Sequence, residues 1–173
     1  FFQASAVTIV HKFYRNYFKD CYVCGDVDYI FGPNTAFFDH CEIHSIARVS
    51  EEKAYITAAS TPAGQEFGLI FSHCRITGEE PDSVYLGRPW RDCAKTAFIC
   101  CELGDHICPE GWQNWGKVRA EVLSDYIEYG NFGPGADCSG RSPLSRCLVN
   151  PEVETYFSKE NVLVGEDGWI PAE

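Results

Sequence analysis

The chain has 173 residues, of which 45% are hydrophobic and 14% aromatic, so it is long and apolar enough for one domain with a sizeable core and is not a disordered polymer. The formal net charge of −11 argues against the basic surface that nucleic-acid binding requires. No apolar run reaches the roughly 18 residues that a membrane helix needs, so we expect neither a nucleic-acid nor a membrane partner. Methionine is absent, so we expect a processed protein or a fragment of a longer one.

One short pattern recurs four times: Phe, two residues, Cys, one residue, then Val, Ile or Leu. A repeat with a period of about 20 to 50 residues is typical of solenoids. Each copy reads as a short strand with a turn after it, and few helical patterns intervene. The repeat therefore predicts a parallel β-helix with internal ladders of Phe and of small buried Cys; a β-sandwich with coincidental spacing is the alternative. The copies are Phe18–Val23, Phe38–Ile43, Phe71–Ile76 and Phe98–Leu103.

The segment 25–32, GDVDYIFG, sets two carboxylates into an apolar, β-branched and aromatic run. Alternation along a strand would place Asp26 and Asp28 on the same face. A carboxylate in a packed sheet needs a partner, so either this face is hydrated or one aspartate is held for chemistry. We expect Asp26 to be solvated and Asp28 to take part in the chemistry of a site.

The ten cysteines are compatible with disulfides or with buried thiols. Cys21 and Cys24 have the spacing of a metal-binding pair, but residues three apart in a strand point to opposite faces, and no second pair follows. We therefore expect no metal site.

Further elements follow from local pattern. Beyond Trp115 the repeat fades, and the part from about Glu121 is expected to pack as a cap on a single β-helix domain spanning 1–173. Asn150 and Pro151 have the pattern of a helix start, which predicts a short helix to about Val162 before an irregular tail. The remaining predicted strands are Lys53–Ala58, Ser83–Gly87 and Asp125–Tyr129.

The second segment with candidate functional residues is 86–90, LGRPW. Glycine permits close backbone approach and proline stiffens the position after Arg88, which predicts a fixed guanidinium beside Trp90. Arginine in such a place is a bidentate partner for a carboxylate; a purely structural ion pair is the alternative. There is no Gly-x-Ser-x-Gly segment, and the histidines in or beside repeat strands are expected to be structural: His40, His44 and His73.

Segments 25–32 and 86–90, together with 111–115 (GWQNW), resemble in order the G-x-V-D-F-I-F-G, L-G-R-P-W and G-W-x-x-W signatures of pectin methylesterases. The resemblance covers about Tyr14 to Pro171. It implies an all-β, right-handed parallel β-helix that acts on methylated homogalacturonan (pectin) without a cofactor. It also implies that Asp28 and Arg88 are catalytic, Asp28 as nucleophile with Arg88 keeping it ionised. The implied sugar-binding residues are Phe31, Trp90 and Trp112.

One departure from the family pattern concerns proton transfer. The family carries a general acid in a Q-D-T-L segment, with a further glutamine one coil earlier, and both should precede Arg15. Segment 1–10, FFQASAVTIV, contains no aspartate, and the surroundings of Gln3 do not match. We therefore expect the chain to lack the N-terminal coils of the family and to be nearly inactive alone. Asp26 is not expected to substitute, because the proton must arrive from the other side of the ester.

The resemblance thus implies a pectin methylesterase-like carboxylic-ester hydrolase, which we expect to be incomplete because the general-acid segment is not found. A non-catalytic pectin-binding β-helix is the alternative. A third possibility is a polysaccharide lyase or a glycosidase that uses Asp26 and Asp28 as its pair. We expect a monomer, secreted because its substrate is a polymer, although the cysteines leave a cytoplasmic location open.

Overall fold

The computed structural model describes residues 2–3, 7–8, 14–50, 52–165, 167–169 and 171, with only the backbone at 2–3 and 7–8. Strands dominate this part of the chain, as its β-branched and aromatic runs predict. The strands are β1 (Phe2–Gln3), β2 (Val7–Thr8), β3 (Arg15–Lys19), β4 (Tyr22–Gly25), β5 (Val27–Gly32), β6 (Thr35–Asp39), β7 (Glu42–Ser45), β8 (Ala54–Ala59), β9 (Leu69–Ser72), β10 (Arg75–Gly78), β11 (Val84–Pro89), β12 (Lys95–Ile99), β13 (Glu102–Leu103), β14 (Asp125–Tyr129) and β15 (Ser145–Leu148). The α-helices are α1 (Ala120–Leu123), α2 (Glu152–Tyr156) and α3 (Lys159–Val162), and a 3₁₀ turn spans Pro134–Ala136.

The strands form three parallel sheets, and among the described residues between β3 and β13 the chain passes from one sheet to the next without helices. The six-stranded sheet has the order β15-β14-β12-β9-β6-β3, the five-stranded sheet β1-β4-β7-β10-β13, and the four-stranded sheet β11-β8-β5-β2. One strand from each sheet makes up a coil, and successive coils stack by parallel pairing. The fold is a parallel β-helix, so the prediction from the repeat is confirmed and the β-sandwich alternative is wrong.

The four repeated phenylalanines form the predicted internal ladder. Strand pairing sets them in register, and their rings stack face to face. The ring centroids are 4.7 Å apart for Phe18 and Phe38, 4.7 Å for Phe38 and Phe71, and 4.5 Å for Phe71 and Phe98. Such a column buries large apolar surfaces in each coil and gives the hydrophobic core its long axis.

The repeated cysteines line the same interior. Cys41, Cys74 and Cys101 are almost completely buried. Each thiol donates a hydrogen bond to the carbonyl of the ladder phenylalanine one coil earlier, at 3.3–3.4 Å. They therefore act as small hydrophobic side chains with a weak donor, as predicted.

The residue just before each of the four repeated cysteines, Cys21 included, turns the chain sharply. All four such residues have left-handed backbone, with φ between 51° and 53°, and join a strand of the six-stranded sheet to a strand of the five-stranded sheet. The repeat therefore marks a corner between two strands, so the prediction of one strand with a turn after it was wrong here. We call the four residues the corner column: Asp20, His40, His73 and Cys100.

The strand predictions outside the repeat are confirmed within a few residues. The segment Lys53–Ala58 covers β8 except its last residue, Ala59, and Ser83–Gly87 overlaps β11, which continues to Pro89. The alternating segment Asp125–Tyr129 is β14 with the predicted bounds. These elements matter for function because β5, β8 and β11 lie side by side in the four-stranded sheet.

The C-terminal part continues the body and flanks it. Strands β14 and β15 extend the six-stranded sheet, and a disulfide joins Cys138 to Cys147 in β15. Side chains around α2 and α3, including Phe157 and Leu163, pack against the outward-facing apolar residues of that sheet, such as Phe37. That the part from about Glu121 packs as a cap stays a prediction. That 1–173 form a single domain remains a prediction.

The predicted C-terminal helix is divided in two. Asn150 accepts a hydrogen bond from the backbone N–H of Glu152 at 3.0 Å, as expected for a helix start. The helix is interrupted after Tyr156, because Ser158 adopts an extended conformation and accepts a hydrogen bond from the N–H of Asn161. In the described part of the chain, every helix is too short or too polar to cross a membrane.

Candidate active site

Asp28 and Arg88 form a doubly hydrogen-bonded ion pair. Arg88 Nε donates to Asp28 Oδ1 at 3.0 Å, and Arg88 Nη2 donates to Asp28 Oδ2 at 2.6 Å. The side chains of Arg88 and Asp28 are 15% and 17% exposed. The pairing fixes the plane of the carboxylate and leaves each of its oxygens a second lone pair. The structure thus brings together the two predicted catalytic residues; their role is considered below.

The position of Asp28 depends on a bulge in β5. Its φ is 50°, and the register with β8 shifts between Val27 and Ile30. As a result, the neighbours Tyr29 and Ile30 are both fully buried, which regular alternation does not allow. Asp26 precedes the strand. The prediction that alternation places Asp26 and Asp28 on one strand face is therefore wrong.

Arg88 on β11 reaches Asp28 on β5 across β8, the strand that lies between them. Phe31 on β5, Ala58 on β8 and Arg88 on β11 occupy one register position on three adjacent strands. Because Ala58 has only a methyl side chain, it leaves space above β8 for the long arginine side chain. The pairing therefore follows from the strand order of the solenoid.

The guanidinium of Arg88 lies between two aromatic rings. Its Cζ is 4.0 Å from the ring centroid of Tyr55 and 4.2 Å from that of Trp115. The hydroxyl of Tyr55 donates to Gln113 Oε1 at 2.7 Å, and burial raises the pKa of Tyr55, which keeps it a neutral donor. Cation–π contacts of this kind contribute about 0.5–2 kcal/mol each. They hold the guanidinium in the orientation that the carboxylate needs.

A row of aromatic rings lies beside the ion pair. Phe31 meets Trp90 edge to face at 4.9 Å, and Trp90 lies 5.4 Å from Trp115. Both tryptophans are 39% exposed. The amino group of Lys117 donates to the carbonyls of Pro89 and Trp90 and so ties the row to the end of β11. Exposed rings in a row can stack on the apolar faces of sugars.

The prediction for Trp112 is wrong. Its side chain is only 1% exposed and stacks on Tyr126 at 4.2 Å inside the solenoid. Its indole N–H donates to Glu128 Oε1 at 2.9 Å. A ring in this position cannot contact a sugar in a surface groove. Trp115, the second tryptophan of the same GWQNW segment, has the exposure and the neighbours that were expected of Trp112, and sequence reasoning missed it.

The contacts of Asp26 differ from those of Asp28. Its Oδ1 accepts a hydrogen bond from the N–H of Val27 at 2.8 Å, and its Oδ2 lies 3.9 Å from Arg48 Nε. These contacts fit the expected solvated position. The upstream segment in which a general acid was expected and the side chain of Gln3 lie outside the described residues.

Three parallel sheets wound into a solenoid, with an oriented aspartate beside exposed aromatic rings, define a parallel β-helix protein with a candidate site on its four-stranded sheet. The chain belongs to the pectinesterase family, whose model, described as Pectinesterase, matches residues 2–166.

The curated relatives agree with this assignment. Pectinesterase 31 of Arabidopsis thaliana is 39% identical over 140 residues, which are 80% of this chain and 43% of that protein. Putative pectinesterase 11 of the same plant is 33% identical over 157 residues, 90% of this chain and 43% of that protein. The chain thus spans less than half the length of these relatives.

Solved structures show the same fold. Pectin methylesterase from carrot superposes with a TM-score of 0.81 at 28% identity, covering 92% of this chain and 54% of that one. A pectin methylesterase crystallised in complex with a hexasaccharide has a TM-score of 0.74 at 28% identity, covering 92% and 53%.

Proposed function

We propose that this chain carries the nucleophile and the aromatic groove of a pectin methylesterase, a carboxylic-ester hydrolase that removes methyl groups from homogalacturonan. The observation that carries the proposal is the two-point contact between Arg88 and Asp28 beside the aromatic row, in a chain of the pectinesterase family. A carboxylate is a weak nucleophile, so it must be oriented and its target polarised. Arg88 supplies the orientation.

In the proposed reaction, an oxygen of Asp28 attacks the carbonyl carbon of a methyl galacturonate unit. The bond from that carbon to the methoxy oxygen then breaks, and methanol leaves with a proton from a general acid. Water cleaves the resulting anhydride into two carboxylates, restored Asp28 and galacturonate, with release of two protons, of which one reprotonates the general acid and the other passes to solvent. Phe31, Trp90 and Trp115 would hold the sugar rings beside the nucleophile.

The site lacks an assigned proton donor. Among the side chains that the structure describes, no second carboxyl group is hydrogen-bonded to Asp28 or Arg88. General acid catalysis contributes about 10²–10⁴-fold, and one oxyanion donor about 10²–10³-fold. We therefore expect slow turnover by this chain alone. The same observation supports the second candidate function, a pectin-binding β-helix without catalysis.

Methanol release from methylated pectin separates the two functions. We expect release above the uncatalysed background from the chain and none above it from Asp28→Asn, whose amide is not a nucleophile. Asp26→Asn is the matched control and should keep the activity of the unmodified chain. Retention on a pectin column without any methanol would instead support the binding function, and a fall in viscosity without methanol would point to a lyase or a glycosidase.

We also propose that the protein is secreted and monomeric. Its proposed substrate is an extracellular polymer, and a disulfide joins Cys138 and Cys147, as is common in oxidising compartments. The other eight cysteines are free thiols. Thiol labelling of the denatured protein should therefore find eight thiols before reduction and ten after it.

A further inference from the structure

Three side chains of different chemistry meet outside the solenoid, at the corner between the six-stranded and five-stranded sheets. His73 and Cys100 belong to the corner column, and Glu154 reaches them from α2. One imidazole nitrogen, the thiol sulfur and one carboxylate oxygen all lie within 4.8 Å of one another. His73 Nε2 is 3.7 Å from Glu154 Oε1. The Asp28–Arg88 pair lies on the four-stranded sheet, so this cluster is a separate feature.

The backbone fixes the spacing of two of the three groups. His73 and Cys100 have the same left-handed conformation on successive coils, with φ of 52° and 53°. The N–H of His73 donates to the carbonyl of Ile99 at 2.9 Å, and that of Cys100 to the carbonyl of Tyr129 at 2.7 Å. The corners therefore stack as regularly as the strands and hold both side chains at the outer surface.

The imidazole of His73 is held with one nitrogen facing the cluster. Its Nδ1 lies 3.0 Å from the hydroxyl of Ser72, and its ring stacks on that of His40 at 5.2 Å. A proton on Nδ1, donated to Ser72, leaves the Nε2 lone pair directed toward Glu154. Histidines that bind metals are commonly oriented by such a hydrogen bond from the other ring nitrogen.

We propose that His73, Cys100 and Glu154 bind a divalent cation of the zinc type, with water as the fourth ligand. Zinc takes this mixture of nitrogen, sulfur and oxygen ligands at about 2.0–2.3 Å, so two of its ligands lie within about 4.6 Å of each other. Small rotations of these partly exposed side chains close the observed separations. On binding, the thiol of Cys100 loses its proton to solvent, and the thiolate and carboxylate balance the charge of the ion.

The site was not predicted, because the sequence led us to expect no metal and structural histidines. A second three-residue group, Asp82, Cys108 and Glu110, has similar spacing. There, however, Lys53 already supplies a cation, with its Nζ 2.8 Å from Asp82 Oδ1. Among the described residues, no lysine or arginine is paired with Cys100 or Glu154, and this difference favours the corner site.

Titration of the chelator-treated chain with Co²⁺, followed by displacement with Zn²⁺, tests the proposal. We expect one Co²⁺ per chain, visible absorption of a tetrahedral ion, and near-ultraviolet sulfur-to-cobalt charge transfer. Cys100→Ser should abolish the charge-transfer band. His73→Gln and Glu154→Gln should weaken binding, and loss of the orienting hydrogen bond in Ser72→Ala should weaken it about 10–100-fold.

Two matched variants guard against binding elsewhere. Cys93→Ser removes another partly exposed free thiol and should leave the titration unchanged. Cys108→Ser should also leave it unchanged. Failure to bind one ion, an unaltered band in Cys100→Ser, or loss of binding only in Cys108→Ser would each overturn the proposal. Circular dichroism identifies any variant that fails to fold. If Cys100→Ser fails to fold, the titrations of the surface variants His73→Gln and Glu154→Gln test the proposal instead.

Discussion

Arg141 and Glu128 form an ion pair that is almost completely removed from solvent. Arg141 Nε lies 2.9 Å from Glu128 Oε1 and Nη2 lies 3.0 Å from Oε2, with side chains 4% and 2% exposed. Glu128 also accepts the indole N–H of Trp112, and Arg141 donates to the carbonyl of Gly135 at 2.6 Å. The pair thus ties the end of the aromatic core to the 3₁₀ turn.

Removing one partner of this pair should strongly destabilise the protein. Glu128→Ala leaves the guanidinium of Arg141 buried without its counter-charge, and we expect the free energy of unfolding to fall by about 3–5 kcal/mol. Urea denaturation measures the change. Arg146→Ala, which breaks the exposed ion pair with Asp125, is the control and should cost about 1 kcal/mol or less. Equal losses in the two variants would contradict the assigned role of burial.

The two tryptophans of the GWQNW segment should respond to substitution in opposite ways. Trp115→Ala removes an exposed ring and should weaken retention of pectin oligosaccharides about two- to tenfold, in line with the energy of one aromatic contact. Trp112→Ala removes a buried ring and should lower the free energy of unfolding by about 3–5 kcal/mol. Affinity electrophoresis and urea denaturation measure the two effects. A loss of affinity in a stably folded Trp112 variant alone would restore the original prediction.

The contact between Asp28 and Arg88 should appear as an energetic coupling even without turnover. In a double-mutant cycle with Asp28→Asn and Arg88→Gln, we expect a coupling energy of about 0.5–3 kcal/mol in the free energy of unfolding. The same cycle with Asp26→Asn and Arg88→Gln is the control and should be additive within about 0.5 kcal/mol. Additivity in both cycles would argue against a fixed pair in solution.

Stability should also depend on pH through His106. This side chain is fully buried beside Asp105, and burial lowers the pKa of His106 to about 4 from 6.5. Below pH 6.5 the unfolded chain binds a proton that the folded protein excludes, so stability falls as the pH decreases from 6.5 to about 4. The group accounts for about 3 kcal/mol over that range.

His106→Leu checks this dependence, because it removes the titrating group and should flatten stability between pH 6.5 and 4 relative to the unmodified chain. His44, whose charge also disfavours protonation of His106, serves as the comparison in His44→Gln, which should keep most of the slope. An unchanged slope in His106→Leu would assign the dependence to other groups.

Much of the fold could be predicted, because the repeat of Phe, Cys and an aliphatic residue states which side chains each coil buries. The left-handed corners could not, since Asp, His and Cys at one position share no side-chain property that announces the turn. The contact between Asp28 and Arg88 could be predicted, because two sequence motifs name these residues. Prediction from the sequence failed where the direction of a side chain depends on the fold. The bulge separates Asp26 from Asp28, and the coil turns Trp112 inward and Trp115 outward.

The corner column has a consequence for how such a protein can change over time. Each coil contributes one residue whose backbone is dictated by the turn but whose side chain is outside the solenoid interior. Packing inside the solenoid therefore places little restriction on its identity, although Cys100 also contacts the outer apolar cluster. Asp20, His40, His73 and Cys100 already differ in charge, acidity and affinity for metals. The solenoid thus offers a ladder of positions at a regular rise, where new surface chemistry can be acquired one coil at a time without repacking the interior.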